Sequence, residues 1–160
     1  MVRGIGQRRR AHDGFTLVEL LVVILIIGIL AAIAIPQFVR ERGKAYDASA
    51  QELVRTALTT AETYGVDHAD DYSGLSSAEL AQIEPTIPIS AGHDNAWLSY
   101  AAPDGTDHGY TVVATAAGTG DAFTMTLADD GALALTCSIP ATAADGSGEC
   151  EDLSGGAGTW

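Results

Sequence analysis

The sequence predicts an α+β protein in which a long N-terminal helix, spanning a membrane over its first half, packs on an antiparallel sheet of three or four strands. Residues 15–35 are almost entirely apolar, residues 46–64 carry apolar side chains at spacings of three and four, and short alternating segments separated by turns follow residue 97. These patterns are typical of a membrane helix, an amphipathic helix and β-strands, respectively. The helix stripe and the sheet face each need an apolar partner, so they are predicted to cover one another.

The chain begins with a short basic leader, residues 1–14. It holds four arginines against a single acid, Asp13. By the positive-inside rule, this end stays in the cytoplasm and the remainder of the chain faces outward.

The apolar segment that follows, residues 15–35, contains one charged side chain, Glu19. As a helix it would span about 31 Å, which is close to the hydrocarbon thickness of a bilayer, ~30 Å. A single membrane pass is therefore predicted. Two alternatives stay open: a secretory signal cleaved at Ala32-Ile33-Ala34, and a plain membrane anchor in which Glu19 is incidental.

The junction between the leader and the apolar segment resembles the type IV pilin and pseudopilin family. In that family the leader ends in Gly, the mature chain starts with a methylated Phe, its fifth residue is Glu, and a Pro interrupts the helix further on. Gly14, Phe15, Glu19 and Pro36 occupy these positions. The resemblance implies that a prepilin peptidase cuts between Gly14 and Phe15, that Phe15 is methylated, and that Glu19 and Pro36 serve filament assembly.

Beyond Pro36 the helix is predicted to become amphipathic, with Gly65 as the left-handed residue that ends it. A kink is expected at Pro36, although membrane helices also tolerate Pro without using it. The predicted regions are a cleaved leader (1–14), a transmembrane and assembly half-helix (15–36), an amphipathic half-helix (37–65) and a globular head (66–160). The predicted buried face of the amphipathic half comprises Tyr46, Ala50, Leu53, Val54, Ala57, Leu58, Ala61 and Tyr64.

The head is predicted to open with a loop that holds a short helix within residues 76–83, with Ser76 as its N-cap. Alternation predicts strands at 110–116, 123–127 and 133–137, and a weaker signal predicts a fourth at 97–102. The connections between them are short, so neighbouring strands should be antiparallel.

Two cysteines, Cys137 and Cys150, flank a stretch rich in Gly and Ala. A disulfide across a loop of this size would contribute about 3 kcal/mol, and an exported location permits it. Two free thiols are the alternative. A C-terminal disulfide loop is also a feature of many pilins, so the resemblance supports the bond.

Charge limits the possible partners. Four of the eight basic residues and one of the 21 acidic ones lie in the leader, so residues 15–160 carry four basic and 20 acidic side chains. Such a surface repels phosphate backbones, and no direct nucleic-acid binding is expected. The acidic pairs Asp70-Asp71, Asp104 with Asp107, and Asp129-Asp130 could offer oxygens to calcium, but solvated turn carboxylates are the favoured interpretation.

No catalytic motif is present in the sequence, so we expect no enzyme, no cofactor and no metal. The predicted function is that of a structural subunit of a type IV pilus, a single-pass membrane protein before assembly and an extracellular filament afterwards. Its implied partners are other pilin subunits, the prepilin peptidase, the inner-membrane assembly machinery and the membrane. The alternatives are a pseudopilin of a type II secretion or competence system and a membrane-anchored binding domain that never polymerises.

Overall fold

The computed structural model describes residues 14–92, 95–140, 150 and 157–158. The elements in chain order are α1 Leu17–Asp67, α2 Ser77–Ile83, β1 Ala96–Pro103, β2 Tyr110–Ala116, β3 Ala122–Leu127, β4 Leu133–Ser138 and β5 Ala157–Gly158. This order confirms the predicted α+β class. The basic leader, apart from Gly14, and most of the stretch between the two cysteines lie outside the described residues.

The chain divides into two compact units, Met1–Gln37 and Phe38–Trp160. The second unit is called the head below. The boundary lies between Gln37 and Phe38, one residue beyond Pro36, and α1 is helical at Pro36. A bend at Pro36 remains a prediction.

Within the head, α1 buries one face, as its apolar spacing predicts. Ala50, Val54, Ala57 and Ala61 are fully buried and Tyr64 nearly so. Tyr46, Leu53 and Leu58 are partly buried against the same core. The predicted stripe is therefore confirmed, but it also includes polar side chains that were not predicted to be buried, Asp47 and Thr60.

The end of α1 differs from the prediction. The helix continues through Gly65 to Asp67, and the left-handed backbone conformations are those of Ala69 (φ 57°) and Asp70 (φ 63°). The N–H of Asp70 donates to the carbonyl of Gly65 at 2.8 Å and closes the helix end. Gly65 has a packing role instead, because an added Cβ there would overlap the ring of Tyr72.

The short helix α2 begins where its capping signal predicts. Ser76 is the N-cap, and its hydroxyl accepts the N–H of Glu79 at 3.2 Å, which satisfies one of the unpaired donors of the first turn. Leu80, on the inner side, is fully buried. The helix therefore fixes the loop after α1 to the core.

The sheet is an antiparallel meander in the order β1-β2-β3-β4-β5. The four predicted strands are confirmed, including the weakly signalled β1, in which the register shifts between Leu98 and Tyr100. The fifth strand was not predicted. It pairs only Ala157 and Gly158 with β4, and two residues are too few to show an alternating pattern.

The core lies between α1 and the inner face of the sheet. The inward side chains alternate along the strands and include Leu98, Tyr110, Val112 and Phe123, each at most 1% exposed. The Oη atom of Tyr110 donates to the carbonyl of Leu58 on α1 at 3.4 Å. The small alanines on α1 leave room for these large strand side chains, so the two layers interdigitate.

Cys137 and Cys150 form a disulfide, with their Cα atoms 5.8 Å apart. Both residues are buried, at 1% and 7% exposure. The bond ties the segment after β4 back to the inner face of that strand, as the sequence predicts.

Candidate functional site

The N-terminus of α1 is built by Thr16 and Glu19. The N–H of Glu19 donates to Oγ1 of Thr16 at 3.2 Å, and the N–H of Leu20 donates to the carbonyl of Thr16 at 3.3 Å. Thr16 therefore acts as the N-cap, and the helix begins at Leu17 rather than at Phe15. The Thr-x-x-Glu spacing is a capping signal that is visible in the sequence and predicts a helix start at Leu17.

Glu19 gains a local favourable interaction from this position. It lies in the first turn of α1, where the partial positive charge of the helix N-terminus favours a carboxylate. Among the described residues, no cationic side chain forms an ion pair with Glu19. The helix therefore orients Glu19 without neutralising its charge.

The apolar side chains around Glu19 are not covered by any other residue that the structure describes. Phe15, Leu17 and Val18 are exposed by 83%, 78% and 67%. Every residue from Gly14 to Leu30 is exposed. This part of α1 is the one helix among the described residues that is long and apolar enough to cross a membrane. Each Å² left in water costs about 25 cal/mol, so this surface requires a bilayer or other apolar helices.

A shallow apolar depression lies midway along this segment, centred on Gly28. Its walls are Leu21, Ile24, Leu25, Ile29 and Ala32. An added Cβ at Gly28 would meet nothing within 4 Å, so the backbone is open to an approaching partner. Small residues of this kind let two membrane helices pack closely.

The site residues predicted from the sequence do not converge on a pocket. Gly14, Phe15, Glu19 and Pro36 follow one another along the first unit, and Cys137 and Cys150 belong to the head. A linear arrangement along one exposed helix is suited to contacts with other proteins or with lipid. It brings together no acid, base and nucleophile of the kind an active site needs.

The acidic pairs considered as calcium ligands take part in turns. Oδ1 of Asp71 accepts the N–H of Ser73 at 2.8 Å, and Oδ1 of Asp104 accepts the N–H of Thr106 at 2.9 Å. Hydrogen bonds from Ser73 and Thr106 hold the pKa of each carboxyl below its usual value. Oδ1 of Asp130 accepts the N–H of Ala132 at 2.9 Å. In the described part of the chain, no group of three His, Cys, Asp or Glu residues could hold a metal ion.

Two acids in the head are buried that the sequence did not predict to be so. Asp47 is fully buried on α1, and Asp121, which directly precedes β3, is 2% exposed. Burial, followed by the charge of Asp47 and a hydrogen bond with it, raises the pKa of Asp121 to about 6. The available signal was the position of Asp47, which continues the spacing of the buried stripe back from Ala50 and Val54.

Comparison with known proteins gives a match at the N-terminus and along much of the chain. The family model described as "Prokaryotic N-terminal methylation motif" matches residues 9–35. The type IV wide pilus major component PilA4 of Thermus thermophilus is 44% identical over 111 residues, which cover 59% of this chain and 85% of that relative. No solved structure gives a significant match.

Other relatives match shorter stretches. The type IV major pilin protein PilA of Myxococcus xanthus is 41% identical over 66 residues, covering 41% of this chain and 30% of that protein. The type II secretion system core protein G of Pseudomonas aeruginosa is 34% identical over 80 residues, covering 50% and 56%. The chain thus spans most of one pilus component and about a third to a half of these two. Together with the uncovered apolar helix and the antiparallel head, the match to the pilus component shows that this chain belongs to the type IV pilin family.

Proposed function

We propose that this chain is the structural subunit of a type IV pilus, inserted in the membrane as a precursor and polymerised through the first half of α1. The observation that carries the proposal is the apolar surface of α1 from Leu17 to Ile35, which the described part of the chain leaves uncovered and which contains a single acid, Glu19. A filament core of parallel helices would bury this surface after it leaves the lipid. The pilus components among the relatives support the same assignment.

Processing is part of the proposal. A prepilin peptidase would cut between Gly14 and Phe15, and Phe15 would be methylated on its new amine. Both residues are exposed and precede the first turn of α1, so a protease could bind this part of the chain in extended form. The match of the methylation motif to residues 9–35 supports the cleavage position.

We assign a separate role to each region of the chain. Residues 1–14 would be removed, residues 15–36 would anchor the subunit and then form the filament core, and residues 37–160 would form the exported part. Before assembly the leader would face the cytoplasm, where the inner-membrane assembly machinery could reach it. After assembly the acidic heads would coat an extracellular filament.

The experiment is a comparison of membrane and sheared extracellular fractions, with peptide mass spectrometry of the subunit from each. We expect the sheared fraction to contain a chain that begins at Phe15 and carries one added methyl group. Gly14→Phe should leave uncut precursor in the membrane, whereas Gly4→Phe in the same leader should be processed normally. A chain that begins at Ile35 would contradict the proposal, and so would a correctly processed chain confined to the membrane.

Pseudopilins of secretion or competence systems remain the second candidate. The match to the type II secretion core protein and a shorter match to the competence protein ComGC of Halalkalibacterium halodurans favour it. The same fractions separate the two, because a pseudopilin would be processed at Phe15 yet give little or no sheared filament.

A further inference from the structure

The head begins with two apolar and three basic side chains that are all exposed. Phe38 and Val39 are 71% and 61% exposed. Arg40, Arg42 and Lys44 follow on the same helix and are exposed as well. These five residues are called the basic collar below. The collar presents apolar surface and positive charge side by side.

Charge is strongly segregated between the collar and the remainder of the head. Residues 38–44 include the three basic side chains and one acid, Glu41, so their net charge is +2. Three of the 21 acids precede residue 45, so residues 45–160 carry 18 acids against one basic residue, Arg55. An anionic surface would therefore attract the collar and repel the rest of the head.

Arg42 is held in position by a tyrosine one turn later. Its Nε and Nη2 atoms donate to Oη of Tyr46 at 3.1 and 2.6 Å, and its guanidinium carbon lies 5.4 Å from the centre of the tyrosine ring. Tyr46 in turn packs so closely on Gly118 that an added Cβ there would overlap its ring. Three of the five guanidinium N–H groups are left for another acceptor. Because the side chain is already ordered, binding an anion costs it less conformational entropy.

The other two basic side chains are available to an anion. Arg40 makes no hydrogen bond or ion pair with any residue that the structure describes. Nζ of Lys44 lies 3.6 Å from Oε1 of Glu41, but these side chains are 48% and 67% exposed, and exposed pairs of this kind are weak. Arg40 and Lys44 are four residues apart and share one side of α1, whereas Arg42 projects from another side. Positive charge therefore lies on more than one side of the helix.

The collar is close to the proposed membrane segment along the chain. Arg40 follows Ile35 by five residues. Five residues rise about 8 Å as a helix and span at most about 18 Å when extended. The headgroup layer on each side of a bilayer is roughly 5 to 8 Å thick, and long basic side chains extend toward it. Lipid phosphates would thus lie within reach of the collar, and the boundary of the acyl chains within reach of Phe38.

We propose that the basic collar binds the phosphate groups of anionic phospholipids and holds the head against the membrane before the subunit enters a filament. The inference rests on the membrane insertion contained in the proposed function, but not on polymerisation. A lipid surface accounts for both parts of the collar, because its acyl boundary accepts Phe38 and Val39 while its phosphates accept the cations. The acidic surface of a neighbouring head would pair with the cations but leave the apolar side chains without a partner.

The test uses the full chain in vesicles made of equal parts of anionic phosphatidylglycerol and zwitterionic phosphatidylcholine. Electron paramagnetic resonance of spin-labelled forms of each lipid gives the preference of the protein for the anionic one. The test variant combines Arg40→Gln, Arg42→Gln and Lys44→Gln. One basic residue changes affinity for an anionic surface about fivefold, and the measurement averages over all lipids that contact the chain. We therefore expect this triple variant to lower the preference by at least about twofold.

Two control variants separate charge from other effects. Arg40→Lys combined with Arg42→Lys keeps the charge but loses the paired bonds to Tyr46, and it should retain most of the wild-type preference. Arg55→Gln makes the same kind of change at an exposed position of α1 beyond the collar, and it should leave the preference unchanged. Raising the salt concentration from about 0.05 M to about 0.5 M should bring the wild type close to the triple variant.

Equal preferences in the wild type and the triple variant would overturn the inference. Wild-type lipid preference together with a reduced yield of sheared filament would also overturn it, and would assign the collar to the acidic head of a neighbouring subunit. A wild-type chain that does not stay with the vesicles would contradict the membrane insertion, and with it the proposed function. Normal insertion without a collar-dependent preference would contradict this inference alone. Near-ultraviolet circular dichroism checks folding, and if the triple variant does not fold, Arg40→Gln alone should lower the preference in the same direction.

Discussion

Glu19 takes part in the start of α1 and is also the residue proposed to act in filament assembly. Its backbone N–H completes the cap made by Thr16, and its carboxylate occupies the favourable end of the helix dipole. These contributions amount to about 0.5 to 2 kcal/mol for the cap and 0.3 to 1 kcal/mol for the dipole. The dipole interaction lessens the cost of placing the charge in lipid, which reaches about 2.5 to 3.5 kcal/mol at the centre of a membrane helix. The cap explains how α1 starts, but it uses only the backbone N–H of residue 19, which any residue other than proline would supply.

A lone carboxylate in an apolar helix core would be stabilised by a positive partner. In the proposed cleaved chain the new amine of Phe15 would be such a partner, and in a stack of parallel helices Glu19 of one subunit could face Phe15 of the next. We expect Glu19→Leu and Glu19→Gln to be processed after Gly14 but to give little sheared filament. The reason is that an unpaired amine buried in an apolar core costs about 3 to 5 kcal/mol per subunit.

The measurement for Glu19 is the ratio of processed subunit in the sheared and membrane fractions. Glu41→Gln is the matched control, because its side chain is exposed in the head and pairs with Lys44 at 3.6 Å. Wild-type filament yield from Glu19→Gln would show that assembly does not need a negative charge at residue 19.

At the scale of elements, the two halves of α1 differ in which of their side chains are exposed. Up to Gln37 its apolar side chains are exposed all round, whereas in the head one face is buried and the other polar. The change from a uniform to a periodic pattern is visible in the sequence, and for this reason the long apolar helix, the buried stripe and the strands were predicted correctly, while the membrane pass itself stays a prediction. Such features depend on periodicities that extend over many residues.

The structural features that were not predicted depend on particular tertiary contacts and not on a repeating pattern in the sequence. Gly65 was assigned to the helix end because its missing side chain suits a left-handed turn, but the ring of Tyr72 excludes a side chain there. Asp47 was not predicted to be buried, because its partners Thr119 and Asp121 follow more than 70 residues later. The two-residue β5 has no pattern of its own and exists through pairing with β4.

The disulfide between Cys137 and Cys150 is predicted to stabilise the head. Cys137 lies on β4 and Cys150 follows a stretch rich in Gly and Ala, so the bond restricts the unfolded chain more than it adds packing. We expect Cys137→Ser to lower the free energy of unfolding of the head by about 3 kcal/mol without changing membrane insertion or cleavage after Gly14. Chemical unfolding of the processed chain measures the first effect, and fractionation measures the second.

Two controls check that the effect belongs to the bond. Cys150→Ser should match Cys137→Ser, and the double variant should be no less stable than either single one, because all three lack the same cross-link. Alkylation of both thiols in the unreduced wild-type protein would show that the bond is absent.

At the scale of the whole molecule, acidic charge is separated from the surface that is proposed to assemble. Residues 15–35 contain one of the 20 acids outside the leader, and the rest lie beyond Pro36. In a filament, the apolar helices would attract one another while heads of the same sign repel. Apolar burial is insensitive to moderate salt, but repulsion between exposed charges is screened over about 10 Å at 0.1 M and about 30 Å at 0.01 M ionic strength.

Filament stability should therefore rise with ionic strength. We expect sheared filaments to release subunits at a lower temperature in 0.01 M than in 0.15 M sodium chloride. At the higher salt concentration the screening length is only about 8 Å, so the repulsion between heads is weaker.

Three substitutions test the role of the exposed charges. Glu52→Gln combined with Glu62→Gln and Asp67→Asn removes three exposed charges and should shrink this salt dependence. Thr59→Ser, a neutral change on the same helix, should leave it unchanged. Sedimentation of filaments after heating measures the released fraction. Equal release at both salt concentrations would mean that the heads do not repel one another, and greater release at high salt would mean that attraction between charges holds the filament together.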